Sequence, residues 1–396
     1  MLNYGKHSIR PKDIEAVAEA LKSDRITQGP LIEQFEDALC DYFECDHAVV
    51  VSNGTLALHL VYKALGVSEG DQVITSPNTF LATANGILYN DGTPRFIDID
   101  PETYNLSVNQ LEKYLHSKSP ESPSKTNEST PPRSSPPEGE DSGGADSQKL
   151  RSTVGIAPVH FAGRPCNMES IKQLADQNDL FVLEDACHAP GAKWKDSQGN
   201  WQKVGSCSHS DASILSFHPV KHFTTGEGGA VLTNRPEVAD SVRRLRTHGI
   251  TKDPDRLTEN HGPWYYEMQE LGHNGRITDF QCALGLTQLE DLDKNVRKRR
   301  DIARQYDQAF SDLPEVQTPK KSATFKHAYH LYVIRAHQRD ELFQHHQENE
   351  IQPQVHYIPV HRQPYYRENF DYKQGDFPNA EDYYREAITL PLYPTL

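Results

Sequence analysis

A lysine placed where it is poorly solvated is the first residue here that could do chemistry. Lys221 closes the run Ser216-Phe217-His218-Pro219-Val220-Lys221. The apolar stretch Ala212–Leu215 leads into that run, and a second apolar stretch, Ala230–Thr233, follows it. A lysine in a tight turn between two strands that read as buried is not an idle residue, because lysine is almost never fully buried without a partner or a task. Desolvation lowers the pKa of an amine, and a lowered pKa is what a Schiff-base lysine needs.

Four further stretches can be weighed against that lysine. The strand-like run Leu180–Leu183 ends in Glu184-Asp185. In open α/β sheets ligands bind outside the carboxyl ends of the strands, so Asp185 and Lys221 are expected at the same sheet edge. Taken alone, Asp185 reads as a helix N-cap. Val51-Ser52-Asn53-Gly54-Thr55 ends a strand and opens the helical run Leu56–Leu65. A glycine there lets the backbone approach closely, and the free N–H groups of a first helical turn hold an anion. Turn chemistry alone would also account for Asn-Gly. Ser76-Pro77-Asn78-Thr79-Phe80 again follows a strand, and at this edge the Phe80 ring could cover a planar heterocycle. Leu271-Gly272-His273-Asn274-Gly275-Arg276 is a polar lead into the helical run Asp279–Leu289. Together, a Schiff-base lysine, an acid for a pyridinium nitrogen, a phosphate cradle and a stacking ring are the protein contributions that pyridoxal 5′-phosphate (PLP) requires.

The elements that must position these residues alternate. Short apolar runs at His47–Val51, Val73–Ser76, Arg95–Ile99, Val154–Val159, Leu180–Leu183, Ala212–Phe217 and Ala230–Thr233 suit strands covered on both faces. Helical stretches such as Met168–Asn178 lie between them. The pattern predicts an α/β domain over residues 1–295, with a mostly parallel sheet and helices on both faces. A charged helix from about Val296, the strand-like His330–Ala336 and a Pro- and Tyr-rich stretch predict a smaller α+β domain over 296–396. Between Leu115 and Leu150 there is no Leu, Ile, Val, Met or aromatic residue. Residues 116–152 are therefore expected to form a disordered insertion, since they cannot bury enough surface to offset their ordering entropy.

Bulk properties narrow the function. Lys and Arg number 41 against 56 Asp and Glu, a formal charge of −15 over 396 residues. That balance argues against a nucleic-acid partner. The six cysteines are scattered with no C-x-x-C pair, which argues against a disulfide framework or a zinc site, and no metal is expected. The start Met1–Arg10 lacks an apolar signal-type core, and no apolar stretch of roughly 18 residues occurs. No membrane partner is expected, and the protein reads as cytoplasmic.

The chain resembles the DegT/DnrJ/EryC1/StrS family of PLP-dependent sugar aminotransferases, which have the fold-type I architecture. The resemblance covers essentially everything outside 116–152. It rests on SNGTLAL at 52–58, SPNTFLATAN at 76–85, PVHFAGRPCNM at 158–168, LEDACHAPGA at 183–192, SFHPVKHFTTGEGGAV at 216–231, LGHNGRITDFQCALGLTQL at 271–289 and VHYIPVH at 355–361. It implies that Lys221 is the Schiff-base lysine and proton shuttle and that Asp185 partners the pyridine nitrogen. Gly54, Thr55 and Ser216 become phosphate ligands, Phe80 the stacked ring and His188 the contact to the cofactor's ring oxygen. Asn274 matches a residue that reaches the phosphate of a neighbouring subunit, which implies a homodimer with shared active sites.

The stretch Gln352–His361 with Tyr365-Tyr366, together with Leu271–Arg276, most resembles that of enzymes aminating UDP-4-keto-6-deoxy-hexoses in pseudaminic acid biosynthesis. On that basis His356, Tyr357 and His361 are candidate contacts to a nucleotide sugar, with glutamate as amino donor and ping-pong kinetics through pyridoxamine phosphate. A structural Tyr/His-rich segment accounts for those three residues equally well. Amination at C3 and a dTDP-linked sugar stay open. Related sugar dehydratases carry histidine at the lysine position, so Lys221 argues against that branch. The full lysine, acid and phosphate set argues against a ligand-sensing protein without catalysis. Relatives usually add a helix after the Pro394-Thr395-Leu396 end, so the small domain is expected to lack it.

Overall fold

Seven strands carry the candidate site. In spatial order they are His47–Val51, Gly229–Thr233, Ala212–Ser216, Phe181–Asp185, Ser152–Ala157, Asp71–Thr75 and Thr93–Phe96. Gly229–Thr233 alone runs against the others. These are the runs with the densest Val, Ile, Leu and Ala content. Their central members are buried on both faces, as strands in a doubly covered parallel sheet must be. The computed structural model describes residues 1–118 and 152–396.

Helices cover both faces of the sheet. On one face Pro30–Phe43 and Met168–Gln177 place Phe35, Leu39, Phe43, Met168 and Ile171 against Val50, Ile74, Ile156 and Val182. On the other, Gly54–Ala64 and Pro236–Leu245 place Leu58, Val61, Val238 and Val242 against Val49, Val73, Leu183 and Ile214. Several of the helix starts are specified locally. The Asn53 side chain accepts from Leu56 N at 2.8 Å, and Asn167 accepts from Ser170 N at 3.3 Å, each satisfying an orphan N–H of the first turn.

The charged helix begins at Leu292, a few residues before the expected Val296, and runs to Ala309. Beyond it, Val316–Gln317, Tyr332–Ala336 and Ala387–Leu390 form an antiparallel sheet flanked by Arg339–Glu348 and Pro378–Glu386. Two pairings cross the boundary drawn at residue 295. Leu2–Asn3 pairs in parallel with Ile351–Gln352, and Phe325–Lys326 adds to the Lys193–Lys195 strand. Short edge strands that pair over such sequence separations leave no periodic signal. The helix Val108–Lys118 ends, and the strand Ser152–Ala157 begins, at the margins of the expected insertion; residues 119–151 lie outside the described residues.

Candidate active site

Strand alternation decides which of two adjacent acids faces the site. Phe181–Asp185 and Ala212–Ser216 are neighbouring parallel strands, with Asp185 paired to Ile214. Glu184 points to one face, where Ser210 Oγ donates to it at 2.5 Å and His160 Nε2 lies 2.9 Å away. Asp185 points to the other and emerges at the strand's carboxyl end, 5% exposed. There its Oδ2 accepts from Thr83 Oγ1 at 2.6 Å and its Oδ1 from Cys187 N at 3.2 Å.

Lys221 follows Ser216 in a loop closed by its own backbone. Phe217 N donates to Gly228 O at 2.9 Å, Thr225 N to Phe217 O at 3.1 Å and Lys221 N to His218 O at 2.8 Å. Gly226 takes a left-handed φ of 83° in this loop, a conformation that glycine adopts without strain. Gly229 is required by proximity instead. A Cβ there would sit 2.7 Å from the carbonyl carbon of Asn53 and from Gly54 N, so its absence lets the start of the Gly54–Ala64 helix come down on the strand end. Gly54 in turn packs over Ser216, whose Cβ would be 3.0 Å from an added methyl.

A cavity of about 870 Å³ opens above these residues. Gly54, Thr55, Asp185, Ser216 and Lys221 form its floor. Phe80, 56% exposed, stands on one side at the start of the helix Leu81–Leu88. His188, His356 and Tyr357 close the other. The structure therefore brings together nine of the eleven residues singled out from sequence. His361 is not among them. It is fully buried in the turn Val360–Arg362, with Nε2 2.9 Å from Glu381 Oε1 and its ring edge-on to Phe377, and does not line the cavity. Asn274 does not line the cavity either; it is exposed and bridges to Thr247.

The electrostatics favour neutral bases around Lys221. Burial pushes its ammonium below the ordinary lysine pKa, partly offset by the nearby Cys187 thiol and the Asp185 carboxylate. Burial, and then the Lys221 charge, push the His188 imidazole well below its usual value. The same two causes push His356 down to about 3. His188 Nε2 is 3.1 Å from the Tyr357 hydroxyl, and its Nδ1 is buried without a partner. Burial raises the Tyr357 hydroxyl, which stays protonated. His356 Nδ1 is 2.9 Å from Thr389 Oγ1, which anchors this wall to the C-terminal sheet.

Sequence reading missed Thr83 and His330. Thr83 lies one turn after Phe80, so its position on the cavity face of a helix starting at that ring was the available signal. His330 also lines the cavity and packs against His188, with ring centroids 4.3 Å apart and planes tilted by 42°. It precedes a strand on a distant part of the chain, and no local pattern marks it.

Comparison with known proteins bears on this geometry directly. The family model for DegT/DnrJ/EryC1/StrS aminotransferases matches residues 7–125 and 145–396. The spore coat polysaccharide biosynthesis protein SpsC of Bacillus subtilis is 37% identical over 100% of this chain and 93% of its own length. The UDP-4-amino-4,6-dideoxy-N-acetyl-beta-L-altrosamine transaminase of Campylobacter jejuni is 36% identical over 99% of this chain and 93% of its own. Among solved structures, Helicobacter pylori PseC, an aminotransferase involved in the biosynthesis of pseudoaminic acid, superposes with a TM-score of 0.82 at 30% identity, covering 100% of this chain and 94% of its own. The fold is that of the fold-type I aminotransferases, and the chain belongs to the DegT/DnrJ/EryC1/StrS aminotransferase family.

Proposed function

We propose that this aminotransferase uses PLP to move an amino group from glutamate to C4 of a UDP-linked 4-keto-6-deoxy sugar. The observation that carries the reading is a half-buried lysine with a lowered pKa beside a buried carboxylate on the floor of a cavity large enough for a cofactor and part of a sugar nucleotide. The sugar class is supported by the Campylobacter relative, named for a UDP-4-amino-4,6-dideoxy sugar, and by the likeness to PseC. A sugar aminotransferase of Streptococcus pneumoniae solved in a PLP form, with a TM-score of 0.81 at 26% identity, supports the cofactor.

The residues present fit PLP. The first turn of Gly54–Ala64 offers unpaired N–H groups at the sheet edge, with the Thr55 and Ser216 hydroxyls beside them, which suits a phosphate. Asp185 supplies a fixed negative charge for a ring nitrogen. Phe80 exposes an aromatic face to the same space, and the unpartnered His188 Nδ1 is a buried polar atom lacking the hydrogen bond that such atoms ordinarily have. When bound, PLP supplies the electron sink for carbanion chemistry and carries the nitrogen between two half-reactions. Lys221 Nζ, deprotonated more readily than a solvated lysine, would take a proton from the donor's α-carbon in the first half-reaction and, in the second, give a proton to the sugar carbon that receives the nitrogen. Such general acid–base transfer contributes about 10²–10⁴-fold. His356 and Tyr357 face the incoming sugar. Each product leaves before the next substrate enters, which makes the kinetics ping-pong.

A homodimer with shared active sites completes the proposal: Asn274, exposed and away from its own cavity, is free to reach the phosphate site of a second copy. Among the described residues all six cysteines are free and no helix is long and apolar enough to cross a membrane. Free thiols are compatible with a reducing, cytoplasmic setting. The test is mass spectrometry of the products formed from glutamate and a panel of UDP- and dTDP-linked keto sugars. A mass gain consistent with replacement of the keto oxygen by an amine, on a UDP-4-keto sugar, is expected. Turnover of a dTDP-3-keto sugar alone would overturn the substrate assignment and leave the aminotransferase chemistry standing.

A further inference from the structure

Asp185 is held by a chain of hydroxyls whose direction can be derived. Thr83 Oγ1 lies 2.6 Å from Asp185 Oδ2, and Thr79 Oγ1 lies 2.9 Å from Thr83 Oγ1. Both threonines are buried, Thr83 completely. An ionised carboxylate only accepts, so the single hydroxyl proton of Thr83 is committed to Asp185. Thr83 then has only lone pairs left for Thr79, and Thr79 must be the donor. The chain runs Thr79 to Thr83 to Asp185, and each bond polarises the next.

The anchoring is rigid at both ends. Cys187 N holds the other carboxylate oxygen at 3.2 Å, so each oxygen has a fixed donor and the plane of the group is pinned. Thr83 O accepts from the buried Tyr62 hydroxyl at 3.2 Å, which ties its helix to Gly54–Ala64, the helix whose first turn faces the cavity. Thr79 directly precedes Phe80. The same turn that presents the exposed ring therefore also orients the acid on the floor.

We propose that Thr83 is a positioning residue for Asp185, with Thr79 as its own orienter, and that the pair fixes the plane in which the carboxylate meets the ring nitrogen of a bound cofactor. The inference rests on the PLP reading above. Thr83→Val keeps the shape and removes the hydroxyl, whereas Thr83→Ser keeps the hydroxyl. PLP is titrated into the apoproteins, and the dissociation constant, the visible spectrum of the bound cofactor and the melting temperature are recorded. Thr83→Val is expected to weaken PLP binding by about tenfold, the scale of a lost hydrogen bond to a charged group, and to alter the spectrum. Thr83→Ser should restore both, and Thr79→Val should give the same change in smaller measure. Thr83→Val with wild-type affinity and spectrum, or Thr83→Ser as impaired as Thr83→Val, overturns the inference. Wild-type protein that binds no PLP overturns the cofactor reading as well, which separates the two failures.

Discussion

The floor and the far wall of the cavity are built by different rules. On the floor, Asp185 and Ser216 end adjacent strands in register, Lys221 sits in a loop closed by backbone hydrogen bonds, and Gly54 opens a helix pressed against the strand end. Ladder geometry leaves these residues almost no freedom. The wall is tied down by backbone hydrogen bonds only at its two ends, Gln354 with Thr389 and Val360 N to Pro77 O, and between them His356 and Tyr357 are held by side-chain contacts. His356 Nδ1 meets Thr389 Oγ1 at 2.9 Å, the Tyr383 hydroxyl donates to His356 O at 2.8 Å, and Tyr357 meets His188 at 3.1 Å. A typical hydrogen bond contributes about 0.5–1.5 kcal/mol net, so the wall can be re-formed one contact at a time. On the proposed function, the difference separates two properties: the floor would keep one chemistry, and the wall could change the sugar.

Changes to the floor should break activity outright. Lys221→Ala removes the only amine among the described residues that line the cavity, and no turnover with glutamate is expected. Asp185→Asn keeps the shape, retains an acceptor oxygen for only one of the two donors, Thr83 Oγ1 and Cys187 N, and deletes the charge. A loss of about 10²–10³ in kcat is expected, the scale for removing one preorganised electrostatic group. Steady-state rates with saturating PLP check both. If Asp185→Asn retains wild-type kcat, the floor is not the electrostatic centre.

Acid should sharpen the comparison, because buried His188, His330 and His356 line the cavity and buried His222 packs beside His330. Burial depresses His188, His222, His327 and His330 well below the ordinary value, and His356 to about 3. The unfolded chain therefore binds more protons than the folded one below about pH 6.5. The stability tied to neutral histidines is fully present above that pH and is lost as pH falls, for His356 until about pH 3. Each such histidine contributes a slope of about 1.4 kcal/mol per pH unit within its window. Denaturant unfolding at pH 7, 5.5 and 4.5 should show a steep fall, and His356→Gln should flatten it. Equal stability at all three values would sink the assignment of these rings as neutral.

On the wall, Tyr357→Phe removes the hydroxyl that meets His188 and leaves the ring near Phe80. The expected loss is about three- to tenfold in kcat/KM for the sugar, one neutral hydrogen bond, with the glutamate half-reaction much less affected. A collapse of both half-reactions would show that Tyr357 belongs functionally to the floor.

The same contrast explains what could be read from residues alone. Asp185, Ser216, Lys221 and Gly54 were legible because an apolar run, a strand end and a turn residue are local signals that a parallel sheet converts into a common edge. Alternation even distinguishes Asp185 from Glu184 once the strand register is known. Thr83 and His330 were illegible for opposite reasons. Thr83 is the one hydroxyl on the short helix Leu81–Leu88, and only where Asp185 ends up gives it a role. His330 reaches the site because the C-terminal segment folds back over the sheet, a long-range event that no window of sequence contains. His356 and Tyr357 could be flagged only by resemblance, and that signal could not separate them from His361, four residues after Tyr357.

His361 gives the smallest expected effect and the cleanest boundary for the wall. Its Nε2 and the backbone N of Gly375 both meet Glu381 Oε1, at 2.9 and 2.7 Å, in a pocket sealed by Phe377. Nothing in that arrangement faces the cavity. His361→Asn should therefore leave kcat and KM for the sugar unchanged. It should instead destabilise the fold by about 1–3 kcal/mol, the range for leaving a buried partner unsatisfied, seen as a lower melting temperature with an unaltered cofactor spectrum. A raised sugar KM with an unchanged melting point would move the wall outward to include the turn at Val360–Arg362, and the substrate would then be read by the C-terminal segment over a longer stretch than His356 and Tyr357.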